Sequence, residues 1–424
     1  MLDQIQLSRL DNGLTVLTEH MPGLRSVTVG IWVRRGSRHE SSPLNGICHF
    51  IEHTVFKGTE TRSALDIAIE SDRLGGHLDA FTTHEVTGFT MKVADSALTL
   101  AFDLLSDMIA HPRFAEEDLR REQKVIIEEM KMVEDTPDEF LGELFNAAYF
   151  TGHPLGRPIE GTEETVSTFD QEKTRSFHAS EYAARNLVIA AAGNVDHEAL
   201  VKLVTAKFAG GKATGDDKSL IESAPAPAAP ILIEKKEELE QAHLIIAAPW
   251  PDARSEERYA ASLLASIMGG GTSSRLWQSI REERGLAYAV GAGSSAYTDA
   301  GVFTIYAATS PAHLDEVIDL ALSEMRRVVR ESVSEEELRL VKDQAVSSIL
   351  LGLESSSMRA GALARQEMVH GRRISPDEII ARLEAVTPDD VRRVARTSFV
   401  SDNVALAALG DLNGFGVDRA RLEI

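Results

Sequence analysis

The 424-residue chain has a single cysteine, Cys48, which excludes an intrachain disulfide and any zinc site built from several thiolates. It has no apolar run of the about 18 residues that would mark a membrane-spanning helix. Positive charge is also scarce: 44 Lys and Arg stand against 66 Asp and Glu, a formal charge of -22. That balance argues against nucleic acid as a partner, because neutralising phosphates needs a basic surface. It is compatible with basic or unfolded peptide partners, though a surface charged for solubility explains it more simply. The first residues, MLDQIQLSRLDNGL, lack a basic segment followed by an apolar run, and lack the Arg- and Ser-rich character of a transit peptide. A soluble, cytoplasmic protein is the expectation, with no membrane partner.

What is present is ordinary globular composition, 43% hydrophobic and 26% charged, in a chain too long for one core. The clearest break is 210–230, where glycines, alternating Ala-Pro and clustered polar residues read as a linker. The two sides of it repeat each other. NLVIAAAGNV from Asn186 returns as NVALAALGDL from Asn403, FAEEDL from Phe114 as VSEEEL from Val333, and Phe89-Thr90-Met91 as Phe303-Thr304-Ile305, at offsets of about 214 to 219 residues. We therefore divide the chain into halves 1–209 and 231–424. Residues 26–34, SVTVGIWVR, are β-branched and aromatic as a strand should be, and 14–18, LTVLT, read as a second strand paired with them across MPGLR. Residues 115–132 carry apolar residues at helical spacing, open with acidic residues and contain no Gly or Pro. The predicted fold class is α+β: two homologous halves, each a mostly antiparallel sheet packed with helices.

The chemistry concentrates in CHFIEHTVFKG from Cys48, where His49, Glu52 and His53 form H-x-x-E-H. On a helix these positions share a face, so two imidazoles and a carboxylate project together. Two neutral imidazoles suit zinc, and a catalytic zinc needs a third protein ligand and a water, whose proton a nearby carboxylate such as Glu52 can take. With 13 histidines in the chain, this short pattern alone is also compatible with an ordinary surface helix. EQKVIIEEM from Glu122 adds candidate ligands: Glu122 and Glu129 share a helix face, Glu128 points about 100° away, and Glu129 lies 76 residues after His53. Cys48 points away from the histidines and reads as a buried structural thiol.

HFIEH followed by EQKVIIEEM resembles the pitrilysin family of metallopeptidases. The resemblance extends to FKGT at Phe56, GGHLDAFTTHE from Gly75, HPLGRPIEG from His153 and the two-half layout, and so covers nearly the whole chain. The length is similar to that of the mitochondrial processing peptidase β-subunit and its bacterial relatives. The resemblance implies a zinc endopeptidase acting on unfolded or extended peptides, with one zinc per chain held by His49, His53 and Glu129. Glu52 is then the general base and Glu122 a second catalytic carboxylate that supports the site. Opposite the metal positions the second half has Ser262, Ala265, Ser266 and Ser348, which cannot hold zinc.

In this family an Arg and a Tyr seven residues apart in the C-terminal half hold the substrate and steady the tetrahedral intermediate; Arg281 and Tyr288 have that spacing. A guanidinium can bind a peptide carbonyl and a phenol an oxyanion, although a polar-face Arg and a half-buried Tyr would look the same in sequence. LDAFTT from Leu78 resembles the family's substrate-binding edge strand, which gives Asp79, Ala80, Phe81 and Thr82 as substrate-binding residues. Asp79 stands where Asn is usual, so an acceptor replaces an amide. His77 and His84 flank this strand without ligand spacing and read as solvated or packed. Gly269-Gly270-Gly271 is a flexible turn and not a phosphate loop, since no GK[ST] follows. Larger family members close a chamber from four halves; a two-half chain reaches that number as a homodimer, or as a heterodimer with a related chain. The competing reading is a catalytically inactive structural or scaffolding subunit of a processing-peptidase-like complex.

Overall fold

The structure, a computed structural model, describes residues 4–208 and 224–424. Among these residues eleven strands make two sheets: β1 (Ile5–Arg9), β2 (Thr15–His20), β3 (Ser26–Val33), β4 (His77–Thr82), β5 (Thr87–Ala94) and β6 (Leu187–Gly193) in the first; β7 (Ile231–Lys235), β8 (Ala242–Pro249), β9 (Ala287–Ala296), β10 (Gly301–Thr309) and β11 (Ala405–Gly410) in the second. The first sheet runs β1-β2-β6-β3-β5-β4 and the second β7-β11-β8-β10-β9. Setting β2 against β7 brings every later strand into register with its counterpart, so the sequence repeat is a structural one. Both sheets are largely antiparallel and covered by helices, as an α+β chain requires. Among the described residues no helix is long and apolar enough to cross a membrane.

The strand at 14–18 does not pair with β3. β6 lies between them, parallel to β2 and antiparallel to β3. The reason is composition: LVIAAAG is buried at all seven positions and belongs in the middle of a sheet covered on both faces, where it takes a ladder from each neighbour. The segment MPGLR therefore crosses over β6 and is not a hairpin turn.

Each sheet packs on both sides. One face of the first carries Val27, Val29, Ile31, Phe89, Met91 and Ile189 against helices that include Ile47–Thr54 and Leu98–Ala110. The other face carries Leu17, Trp32, Val188, Ala190 and Ala192, and the helix Ser356–His370 lies on it through Ala360, Leu363 and Ala364. Arg359 grips Glu19 with two hydrogen bonds of 2.8 Å, and Arg9 reaches Glu367 at 2.7 Å. In the second unit the corresponding face, with Ile245, Ala247, Ala405, Ala407 and Leu409, is covered by Leu141, Phe145 and Tyr149 of the helix Pro137–Tyr149.

The covering helices are thus exchanged between the repeats. Accordingly the compact units are discontinuous: the described parts of Met1–Met132, Arg157–Ile221 and Leu350–Ser375 form one, and those of Val133–Gly156, Glu222–Ile349 and Pro376–Ile424 the other. This corrects a division into 1–209 and 231–424, which follows the duplication and not the packing. Of the expected linker, 210–223 lies outside the described residues and 224–230 carries no helix or strand.

Candidate metal centre

Helix Ile47–Thr54 is eight residues long and strictly two-faced: Ile47, Cys48, Phe50, Ile51 and Thr54 are buried, and His49, Glu52 and His53 occupy the other side. The thiol of Cys48 is fully buried, a packing group as expected. The helix Glu116–Asp135 supplies the carboxylates, one residue beyond the expected start and three beyond the expected end. Its face brings Glu129 Oε2 to 3.6 Å from His53 Nε2. His49, His53 and Glu129 each offer a ligand atom, all within 4.8 Å of one another, and among the described residues they are the one group of three that could hold a metal ion. A tetrahedral zinc with bonds of about 2.1 Å sets its ligands roughly 3.4 Å apart, close to the His53–Glu129 separation. The two imidazoles meet edge to face with centroids 4.5 Å apart. His49 Nδ1 is buried with no hydrogen-bond partner, which is costly for a polar atom unless a cation or other partner takes its lone pair. The donor set and this orphaned nitrogen fit zinc.

Electrostatics divide the roles. Burial lowers the pKa of His49 to about 4, helped by neighbouring His53, so its ring is neutral as a ligand must be. Burial also pushes His53 downward, but the carboxylates of Glu122, Glu129 and Glu52 outweigh it and its pKa is raised. Glu122, nearly buried, sits 3.4 Å from His53 Nδ1 and 2.9 Å from Lys57 Nζ. Burial pushes its carboxyl up, yet these two partners hold it below the usual range. Glu122 thereby keeps a proton on Nδ1 and leaves Nε2 free on the side of Glu129, which is how a ligating histidine is oriented. Glu52 is pushed above the usual carboxylate range by burial, against the pull of a 2.6 Å hydrogen bond from Thr82 Oγ1.

Thr82 is the last residue of β4, and its hydroxyl steadies Glu52. The strand itself lies where the sequence put it. Among the described residues β4 is the end strand of the first sheet and pairs with β5 alone, and Asp79 and Phe81 are exposed while Leu78, Ala80 and Thr82 are half-buried. His84 packs against Ser37 Oγ at 2.8 Å, and His77 is solvated. In the second unit Arg281 and Tyr288 are brought together: Arg281 Nη1 donates to the Tyr288 carbonyl at 2.6 Å, and the guanidinium lies over the rings of Trp277 and Tyr288. Residues Trp277–Glu282 wind as a π-helical turn, and Tyr288 is left 78% exposed. The counterparts of the metal ligands are idle: Ser262 and Ser266 hydroxyls donate to carbonyls of their own helix. Lys57 and Trp277 had no role in the sequence reading, though Lys57 stands one turn after His53 and Trp277 one turn before Arg281.

The chain matches known protein families. The model of the insulinase family, peptidase family M16, matches residues 15–163, and that of the peptidase M16 inactive domain matches residues 168–345. The chain belongs to peptidase family M16, the family its motifs resemble. Relatives named uncharacterized zinc proteases include one from Streptomyces coelicolor, 37% identical over 413 residues (96% of this chain, 90% of the relative). Others come from Bacillus subtilis, 38% identical over 395 residues (92% and 95%), and Rickettsia felis, 38% over 417 (98% and 100%). The crystal structure of a Helicobacter pylori protease shares the fold, with a TM-score of 0.88 at 21% identity, covering 96% of this chain and 99% of that one.

Proposed function

We propose that this chain is a cytoplasmic zinc metalloendopeptidase that hydrolyses unfolded or extended peptides, with one zinc on His49, His53 and Glu129 and Glu52 as general base. The observation that carries this reading is the convergence of those three ligand atoms within 4.8 Å, with Glu52 held beside them by Thr82. Bound there, zinc would acidify a water and polarise the scissile carbonyl. Glu52 takes the proton of the attacking water and passes it to the leaving amine; a carboxyl whose affinity for protons is raised by burial suits both transfers. An unpaired β4 edge offers an extended peptide main-chain hydrogen bonds whatever its sequence. The test measures metal content and cleavage on the same preparation. About one zinc per chain, hydrolysis of an unstructured peptide and loss of it with chelator are expected; a zinc-loaded chain that leaves such peptides intact would be a scaffolding subunit.

The active assembly in this proposal is a symmetric homodimer, with Arg281 and Tyr288 of one copy serving the zinc of the other. Support comes from the chain carrying both sets of residues, each already ordered within its own unit. Mixing a Glu52→Gln chain with an Arg281→Ala/Tyr288→Phe chain, each nearly inactive, should restore one working site per mixed dimer. Confirmed subunit exchange with no return of activity overturns the exchange of residues between copies.

A further inference from the structure

The metal helix does not cap itself. Its N-cap is Gly46, in a left-handed conformation at φ 95° and with no side chain to receive the first amides. Those amides are taken from outside by Glu40, six residues earlier and 3% exposed: Oε2 accepts from Gly46 N at 2.7 Å and from Asn45 Nδ2 at 3.2 Å, and Oε1 accepts from Cys48 N at 2.8 Å. Both carboxylate oxygens are used, and Cys48 is the residue immediately before the ligand His49.

A second grip comes from a segment whose motif, RPIEG within HPLGRPIEG, the proposed chemistry leaves unused. Arg157 Nη1 donates to the Glu40 carbonyl at 2.9 Å, Asn45 Nδ2 donates to the Pro158 carbonyl at 2.9 Å, and Thr165 Oγ1 donates to the Asn45 carbonyl at 2.7 Å. The two segments touch through glycines. A Cβ on Gly46 would stand 2.4 Å from the Glu160 carbonyl oxygen, and one on Gly161 would stand 2.5 Å from that of Asn45. Nothing larger than hydrogen fits at either position.

We infer that Glu40 is a positioning residue for the metal centre, fixing the first turn of helix Ile47–Thr54, with 157–165 as its backing, so that His49 and His53 meet Glu129 in register. This rests on the proposed zinc site. The third ligand comes from a separate helix, so a small slide or rotation of an eight-residue helix spoils the coordination of all three groups; ligand sets tolerate only about 0.5 Å. Gly46 admits no side chain, so the first amides of the helix have to be satisfied from outside it, and the buried Glu40 carboxyl, which burial raises to about 7, is what reaches them. A carboxylate reaching in from outside the helix fixes its direction as well as its end.

The experiment uses the full chain, with zinc affinity measured by chelator competition and Co²⁺ as a spectroscopic probe. Glu40→Gln keeps the shape but turns one acceptor into a donor facing a backbone N–H. We expect zinc affinity about 10–100-fold weaker, the usual loss when support behind a ligand is removed. The visible absorption of the Co²⁺ form should change, and kcat should fall with KM for an unstructured peptide nearly constant. Asp170→Ala is the control: it removes the hydrogen bond from Lys173 N at the cap of helix Gln171–Glu181, an ordinary side-chain cap with no ligand on its helix. A Glu40→Gln chain that loses thermal stability as Asp170→Ala does, with unchanged zinc affinity and Co²⁺ spectrum, overturns the inference. If Glu40→Gln does not fold, Arg157→Ala decides by the same two readings: weaker zinc binding supports the inference, and unchanged binding overturns it. A wild-type chain that takes up neither metal overturns the zinc reading itself, a separate outcome.

Discussion

Glu52→Gln is expected to keep zinc near one per chain while peptide hydrolysis falls by roughly 10²–10⁴-fold, the usual range for losing general acid–base help. The structure explains why the two readings separate. Glu52 shares a helix face with the histidines, yet the group of mutually close ligand atoms is His49, His53 and Glu129 without it. Its Oε2 is turned to Thr82 Oγ1 at 2.6 Å on the edge strand. A glutamine can keep that hydrogen bond through its amide oxygen, so neither helix nor strand needs to shift; only the capacity to take a proton is lost. Zinc by elemental analysis and turnover of an unstructured peptide are measured side by side. Loss of metal in this variant makes Glu52 a ligand, and wild-type turnover places the base elsewhere.

Glu129→Gln should do the opposite and release the metal, with activity lost as a consequence. Its neighbour provides the comparison. Glu128 is 70% exposed and pairs with Lys131 at 2.7 Å on the outer face of the same helix, whereas Glu129 faces His53. Two imidazoles alone are too few for a stable catalytic zinc site, and a neutral amide is a poor substitute for a carboxylate. Metal content after dialysis against a weak chelator should therefore collapse for Glu129→Gln and stay near wild type for Glu128→Gln. Removing a ligand costs more than removing the support behind one, so the loss of affinity should exceed about 100-fold. Equal retention in both variants sinks the assignment.

The site was legible where helical periodicity governs it. Positions 49, 52 and 53 had to share a face, and 122 and 129 another, because 3.6 residues make a turn whatever surrounds them. That β4 would be a strand at an edge was likewise readable, here through resemblance. The position of β6 between β2 and β3 was not, since periodicity says that LVIAAAG is buried but not between which neighbours. Nor was the hydroxyl of Thr82 on Glu52, or the carboxylate of Glu40 on the metal helix: each joins elements distant in sequence, and a lone polar residue carries no mark of its partner. The exchanged helices failed for the same reason on a larger scale. An amphipathic helix announces an apolar face without naming the sheet that will receive it, and a division at the linker assumed the nearer one.

That exchange also sets an order of events during synthesis. When β6 leaves the ribosome the first sheet has all its strands, but among the described residues what lies on the face bearing Leu17, Trp32 and Val188 is a helix whose contacts run as late as Ala364. At ordinary translation rates that interval lasts roughly 10–35 s, long compared with the collapse of a small chain. The growing polypeptide thus carries an apolar surface through nearly half its own manufacture, and a truncated product ending anywhere before that helix leaves the same surface bare.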